Sequence, residues 1–226
     1  MAPQFDAYRA GISKAMDALG RGQSDAAIAE LKKLAASNER SYEVHLFLGD
    51  AYASKRQFDS ALAEYEAASV LNAHAAAPLI SAARAYLALG DAAKASARLD
   101  AAATLEPASG EVALVRGIIL DRQGRAADAL AQYRSAVRAN GSDPQARASV
   151  AAAALRLRQY DVARVEFERL LQMGYRPSRM HFGLGQIAEA GGDAKKAAAE
   201  YTLALQFEPG FAEAAAALSR LTKQED

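Results

Sequence analysis

The 226-residue chain is 51% hydrophobic and roughly a quarter Ala, with Val, Ile and Thr sparse, a composition that favours helix over sheet and supplies ample material for a core. Lys+Arg and Asp+Glu balance at 27 each, so no global field exists to gather nucleic acid or an anionic membrane. There is no Cys, which excludes disulfides, thiolate metal sites and a Cys nucleophile.

The opening run MAPQFDAY has neither a basic n-region nor an apolar h-region, and no run approaches the length of a bilayer crossing. The chain as given is therefore expected to be soluble, unexported and cytoplasmic. Residues 1–7 read as a short lead-in. From there the sequence repeats itself: Tyr52–Tyr65 and Tyr86–Leu99 align with a shift of 34. Starts at Tyr8, Tyr42, Ala76, Gly110, Pro144 and Ser178 then give six repeats without insertion, 8–41, 42–75, 76–109, 110–143, 144–177 and 178–211. Ala212 opens a lone last helix, which with its tail makes up 212–226.

The register is tested position by position. The twentieth residue of each repeat is Ala27, Ala61, Ala95, Ala129, Ala163 and Ala197; at this Ala content, six matches at a prechosen position have odds on the order of one in four thousand, so the period is real. The eighth residue, Ala15, Gly49, Ala83, Gly117, Ala151 or Gly185, is always small. The twenty-fourth, Leu31, Tyr65, Leu99, Tyr133, Phe167 or Tyr201, is always large. Small facing large at fixed spacing is the signature of two helices packed closely. Gly22, Gly90, Gly124 and Gly192 share the fifteenth position, where a turn with positive φ is predicted. Pro78, Pro107, Pro144, Pro177 and Pro209 fall at the junctions between repeats, where a helix has ended or is in its first turn. Each repeat is predicted to be a helical hairpin.

This pattern resembles the tetratricopeptide repeat, a 34-residue helix-turn-helix with a large residue at position 4, Leu at 7, Gly at 8, Tyr at 11, Ala at 20, an aromatic at 24, Ala at 27 and Pro at 32. Repeat two carries Leu48, Gly49, Tyr52, Ala61, Tyr65 and Ala68; repeat six carries Leu184, Gly185, Ala197, Tyr201, Ala204 and Pro209. The resemblance covers roughly nine tenths of the chain. It implies an all-α fold, a right-handed α-solenoid of antiparallel helix-turn-helix repeats closed by a C-terminal capping helix. Position 4 departs from the pattern as Gly11, His45, Leu79, Ala113, Arg147 and His181, never Trp, and position 11 shrinks to Ala18, Ala154 and Ala188. Repeats one and five are the least typical.

Groups able to do chemistry are scarce. His45 and His181 share position 4 of repeats four apart, and His74 sits beside a junction. None has a carboxylate or second His at sequence ligand spacing, so a structural role is expected for each. Glu64 with Glu66, and Glu166 with Glu168, are two residues apart and point to different sides of a helix. The stretch HFGLGQIAEAGG, residues 181–192, fits a short dinucleotide-binding fingerprint, yet no strand precedes it, and such a fingerprint needs a strand before its Gly turn. Gly185 and Gly192 are explained by the repeat. Gly183 is not; its counterparts are Ser13, Phe47, Ser81, Val115 and Ser149. No enzyme, metal or cofactor is supported.

What the resemblance implies about function is a groove lined by positions 2, 5, 9, 12 and 13 of each repeat. Position 5 reads Ile12, Leu46, Ile80, Leu114, Ala148 and Phe182, an apolar row, and position 9 reads Met16, Asp50, Arg84, Ile118, Ala152 and Gln186. Positions 12 and 13 add Asp121, Arg122, Arg156 and Glu189. No three consecutive repeats supply the Lys and Asn set with which family members grip acidic chaperone tails. The expectation is a non-catalytic scaffold or adaptor that holds an amphipathic or extended protein segment along the row, oriented by Arg84, Asp121, Arg122 and Arg156. The row could instead close between neighbouring first helices and bind nothing. The first helix shows Phe5, Tyr8, Ile12 and Met16 without a dedicated cap, so self-association through that end is a further expectation. The last helix, bringing Glu213, Arg220 and Lys223, reads as the polar cap. The alternative function is a regulatory or oligomerisation module of a larger enzyme. Neither nucleic acid nor membrane is an expected partner.

Overall fold

A computed structural model describes residues 2–37 and 41–222, with side chains described from residue 7 onward. Phe5 and Lys223 therefore lie outside the described side chains. Thirteen helices and no strand occur among the described residues: α1 (Ala2–Gly20), α2 (Ser24–Ser37), α3 (Tyr42–Ser54), α4 (Phe58–Leu71), α5 (Ala77–Leu89), α6 (Ala92–Leu105), α7 (Gly110–Arg122), α8 (Ala126–Ala139), α9 (Pro144–Arg156), α10 (Tyr160–Gln172), α11 (Pro177–Ala190), α12 (Ala194–Phe207) and α13 (Ala212–Thr222). The fold is all-α, an array of antiparallel helix-turn-helix repeats. The chain forms two compact units, Met1–Ile119 and Leu120–Asp226.

Local chemistry sets the helix ends. Ser41 caps α3 by accepting the Val44 N–H, Asp91 caps α6 from Lys94, Asp143 caps α9 from Gln145 and Ala146, and Asp193 caps α12 from Lys196. Each side chain satisfies a first-turn N–H that the helix cannot. Pro78, Pro144 and Pro177 occupy first turns, where a missing N–H costs nothing. Inside the hairpins the chain turns through a left-handed residue at Gly22, Gly90, Gly124 and Gly192. At the equivalent places of repeats two and five it does so at Arg56 (φ 60°) and Arg158 (φ 57°). The turn is thus kept even where a Cβ strains it.

In the N-terminal unit, α1 packs on α2, α2 on α3, α3 on α4, α4 on α5 and α5 on α6, and α3 also touches α1 and α5. Ala27, Ala61 and Ala95 are fully buried, as are Leu31 and Val44. A Cβ on Gly49 would lie 2.4 Å from Cε1 of Tyr65, so only Gly lets that ring sit against α3.

The C-terminal unit repeats the scheme with α8 on α9, α9 on α10, α10 on α11, α11 on α12 and α12 on α13. Ala129, Ala163 and Ala197 are fully buried, and a Cβ on Gly185 would lie 2.5 Å from Tyr201. Gly183 now has its reason. A Cβ there would stand 2.5 Å from Cζ of Phe167, the position-24 ring of the preceding repeat, so α11 gives up a side chain to admit its neighbour's ring. The C-terminal cap buries Phe211, Ala214, Ala217 and Leu221 and exposes Glu213 and Arg220.

Candidate functional site

In the N-terminal unit most of the apolar row is not a surface. Leu46, Ile80 and Leu114 are 9%, 2% and 2% exposed, and Leu46 and Ile80 belong to apolar clusters of the unit. Ile12 is half-buried against the Ala15 and Leu31 cluster, Ile118 packs partly on the Ile80 cluster, and Met16 alone of these stands out at 42%. Leu46, Ile80 and Leu114 are therefore packed inside the unit and offer little surface. The polar positions are internally engaged. Asp50 accepts the Tyr65 hydroxyl at 2.8 Å and faces Ser81 at 3.5 Å, while Arg84 donates to Glu111 at 3.0 Å. Burial pushes the Asp50 carboxyl above its ordinary value, outweighing the two hydroxyls.

The C-terminal unit differs. Asp121 accepts Tyr133 at 2.8 Å and Arg156 at 2.5 Å, and Arg122 has a partner of its own. Glu189 accepts Tyr201 and Arg220, both at 2.6 Å, and the Tyr201 hydroxyl, ahead of Arg220, holds its carboxyl below the usual value. The phenols of Tyr65, Tyr133 and Tyr201 are all pushed up, first by burial and then by their acidic partners. Phe182 is half-buried, with its ring 5.0 Å from Phe211 and 5.6 Å from Tyr201. Around it opens a cavity of about 500 Å³ whose walls include Ala148, Ala152, Phe167, Phe182, Gln186 and Phe211. Arg156, Arg176, Arg179 and Glu213 also line it. Of the expected groove residues, the structure therefore gathers Arg156, Phe182 and Gln186 at one cavity and leaves Leu46, Ile80 and Leu114 in the core.

Two contributors were missed from sequence. Arg176 and Arg179 lie at the junction of repeats five and six, where the run Tyr175-Arg-Pro-Ser-Arg179 gave no repeat signal beyond its proline. Arg176 adopts a left-handed conformation (φ 43°) just before α11, which no residue pattern announced.

The two histidines at position 4 each bond across their own hairpin. His45 Nδ1 meets Glu64 Oε2 at 2.7 Å, and His181 Nδ1 meets Glu200 Oε2 at 2.9 Å. Each carboxylate comes from the second helix of the same hairpin, a tertiary spacing that a search along one helix does not reach. Repeat five makes the same bond with Arg147 to Glu166 at 2.7 Å. The signal was present as a base at position 4 with Glu at position 23. These bonds join the two helices of a hairpin, and the His181 ring is further stacked on Phe207 at 5.6 Å, so the structural role expected of these histidines acquires a definite partner. Glu64 and Glu66 do reach different partners, His45 and Arg98. His74 is exposed in its junction turn. Among the described residues, no group of three His, Cys, Asp or Glu is placed to hold a metal ion, and no helix is long and apolar enough to cross a membrane.

Paired antiparallel helices with a small-against-large seam, repeated along the chain, define a helical-repeat protein. The family model of the tetratricopeptide repeat matches residues 12–78, 80–144 and 151–210, and the chain belongs to that family. No curated protein sequence matches it significantly. Its fold is similar to a chain of the APC/C hetero-tetramer Cut9-Hcn1, with TM-score 0.84 at 14% identity over 95% of this chain and 42% of that one. This chain thus spans less than half of that relative. It is also similar to Pseudomonas aeruginosa pilF, with TM-score 0.78 at 20% identity over 98% and 99% of the two chains. YrrB, a tetratricopeptide repeat protein with an unusual peptide-binding site, gives TM-score 0.62 at 19% identity over 83% and 96%. These likenesses carry the fold alone.

Proposed function

We propose that the protein is a non-catalytic interaction scaffold, and that its C-terminal unit holds a segment of a partner protein at the cavity beside Phe182. The observation that carries this reading is the cavity itself. About 500 Å³ of space bounded by Ala148, Ala152 and three Phe rings lies within the range of a ligand site, and its apolar walls with a charged rim suit a protein segment anchored by side chains. That YrrB has a peptide-binding site supports a use of this kind for the fold. The groove in this reading is a property of the second unit, where small residues at positions 5 and 9 of repeat five leave room that Leu46 and Ile80 fill in their own repeats.

Affinity capture with three proteins tests it: wild type, Gln186→Trp to obstruct the cavity from an exposed site, and Val165→Glu on the exposed part of α10 as control. Proteins retained by wild type and by Val165→Glu, and lost from Gln186→Trp with unchanged helicity, are the expected outcome. Equal retention by all three would overturn the site.

A further inference from the structure

We propose that the segment held at this cavity carries a bulky apolar side chain one or two residues from an internal acidic side chain, the apolar group entering over Ala152 and Phe182 and the carboxylate meeting Arg176 and Arg179. This deepens the reading above and rests on it.

Positive charge is left over at the rim of the cavity. In the C-terminal unit Arg147, Arg156, Arg169 and Arg220 each hold a carboxylate at 2.5–2.9 Å. Arg176 and Arg179 are exposed, and among the described residues no carboxylate pairs with either. Both line the cavity. The guanidinium of Arg176 lies 5.4 Å from the Tyr175 ring centre and that of Arg179 lies 5.6 Å from Phe211. A guanidinium resting on a ring is restrained without using up its in-plane N–H donors, which match a carboxylate. Arg156 is neutralised by Asp121, so the rim sets two available cations against the single carboxylate of Glu213. An anion is the complement.

The apolar requirement follows from the walls. Ala148 and Ala152 contribute only methyl groups, Gly183 contributes none, and Phe167, Phe182 and Phe211 supply ring surface. An acidic residue alone would leave this surface wet, and an apolar residue alone would leave the cations unmet. The internal position of the acid follows from the two rings. Separate aromatic supports hold Arg176 and Arg179 as two points along the rim, which suits a side chain on a segment passing across it more than one chain terminus.

The probes are synthetic decapeptides of Gly and Ser, acetylated and amidated, containing one adjacent Glu–Leu pair, with Gln–Leu and Glu–Ser counterparts and an unblocked peptide ending in Leu. Binding is followed by amide chemical shifts of Phe182, Gly183 and Gln186, which register millimolar contacts. The Glu–Leu peptide is expected to bind about tenfold tighter than either counterpart at low ionic strength, with the gap to Gln–Leu shrinking as salt screens the rim. Arg176→Gln/Arg179→Gln, an exposed double change, is expected to close that gap and leave the Leu-dependent shifts. Equal binding of Glu–Leu and Gln–Leu peptides to wild type overturns the acidic requirement and leaves the cavity as a site. Shifts from none of the peptides overturn the cavity reading as well. Tighter binding of the peptide ending in Leu than of the blocked Glu–Leu peptide overturns the internal position.

Discussion

The two compact units are built from one repeat, yet they spend the first-helix face differently. In the N-terminal unit position 5 carries a half-buried Ile12 and then Leu46, Ile80 and Leu114, all buried. In the C-terminal unit position 5 becomes Ala148 and then Phe182, and the missing bulk of Ala148 and Ala152 is the cavity. The same repeat therefore carries bulk at position 5 in repeats two to four and space at positions 5 and 9 in repeat five. The lesson is that a groove in such an array is defined repeat by repeat, and a consensus position does not by itself specify an exposed one.

The largest expected break of this contrast comes from charge. Leu114→Glu places a carboxylate at a buried position that holds an apolar side chain and is expected to cost about 4 kcal/mol or more, unfolding the N-terminal unit in urea before the rest. Gln186→Glu, at an exposed cavity position, is expected to shift stability by under about 0.5 kcal/mol. Comparable losses from the two would erase the distinction drawn between seam and site.

A second effect sharpens it within the C-terminal unit. Phe167→Ala is expected to cost about 3–5 kcal/mol by cavity formation, and Gly183→Ala about 1–3 kcal/mol by forcing the Phe167 ring away. With Phe167 already truncated, Gly183→Ala is expected to cost little. A double-mutant cycle from urea midpoints reads the coupling, and additive costs would refute the contact as the reason for the glycine.

The turns offer a third. Arg56→Gly and Arg158→Gly remove a strained left-handed Cβ and are expected to stabilise their hairpins by up to about 1 kcal/mol. Gly90→Ala, which installs that strain in the N-terminal unit, is expected to cost about the same. Thermal melts of the three variants check the signs.

The smallest effect is in pH. Asp50 and Glu189 both accept a Tyr hydroxyl, yet burial raises one carboxyl from 3.8 and the hydrogen bonds lower the other from 4.5. Asp50 then adds stability that is fully present below 3.8 and lost as pH rises through its higher folded value. Glu189 adds stability that is present above 4.5 and lost as pH falls through its lower folded value. On acidification the two contributions run in opposite directions. Urea midpoints against pH for wild type, Asp50→Asn and Glu189→Gln should show each variant losing its own slope.

Much of this was legible in the sequence because a period amplifies weak signals. Position 20, position 24 and the turn glycines each repeat, so the fold class and the small-against-large seam stood out. The site was less legible. Whether a position-5 side chain faces solvent depends on how closely neighbouring first helices approach, a tertiary distance that Leu46 and Phe182 do not announce by type. Arg176 and Arg179 escaped notice because availability is a statement about what fails to pair, and pairing across helices is visible only in three dimensions. The His45 and His181 bonds were hidden for the same reason.

Gly183 carries a consequence beyond its own contact. A strictly periodic array has translational symmetry, so any repeat would serve in any place. By giving up one side chain to admit the ring before it, repeat six is fitted to the Phe167 of repeat five. The chain thereby acquires an address, and its hairpins cease to be interchangeable parts.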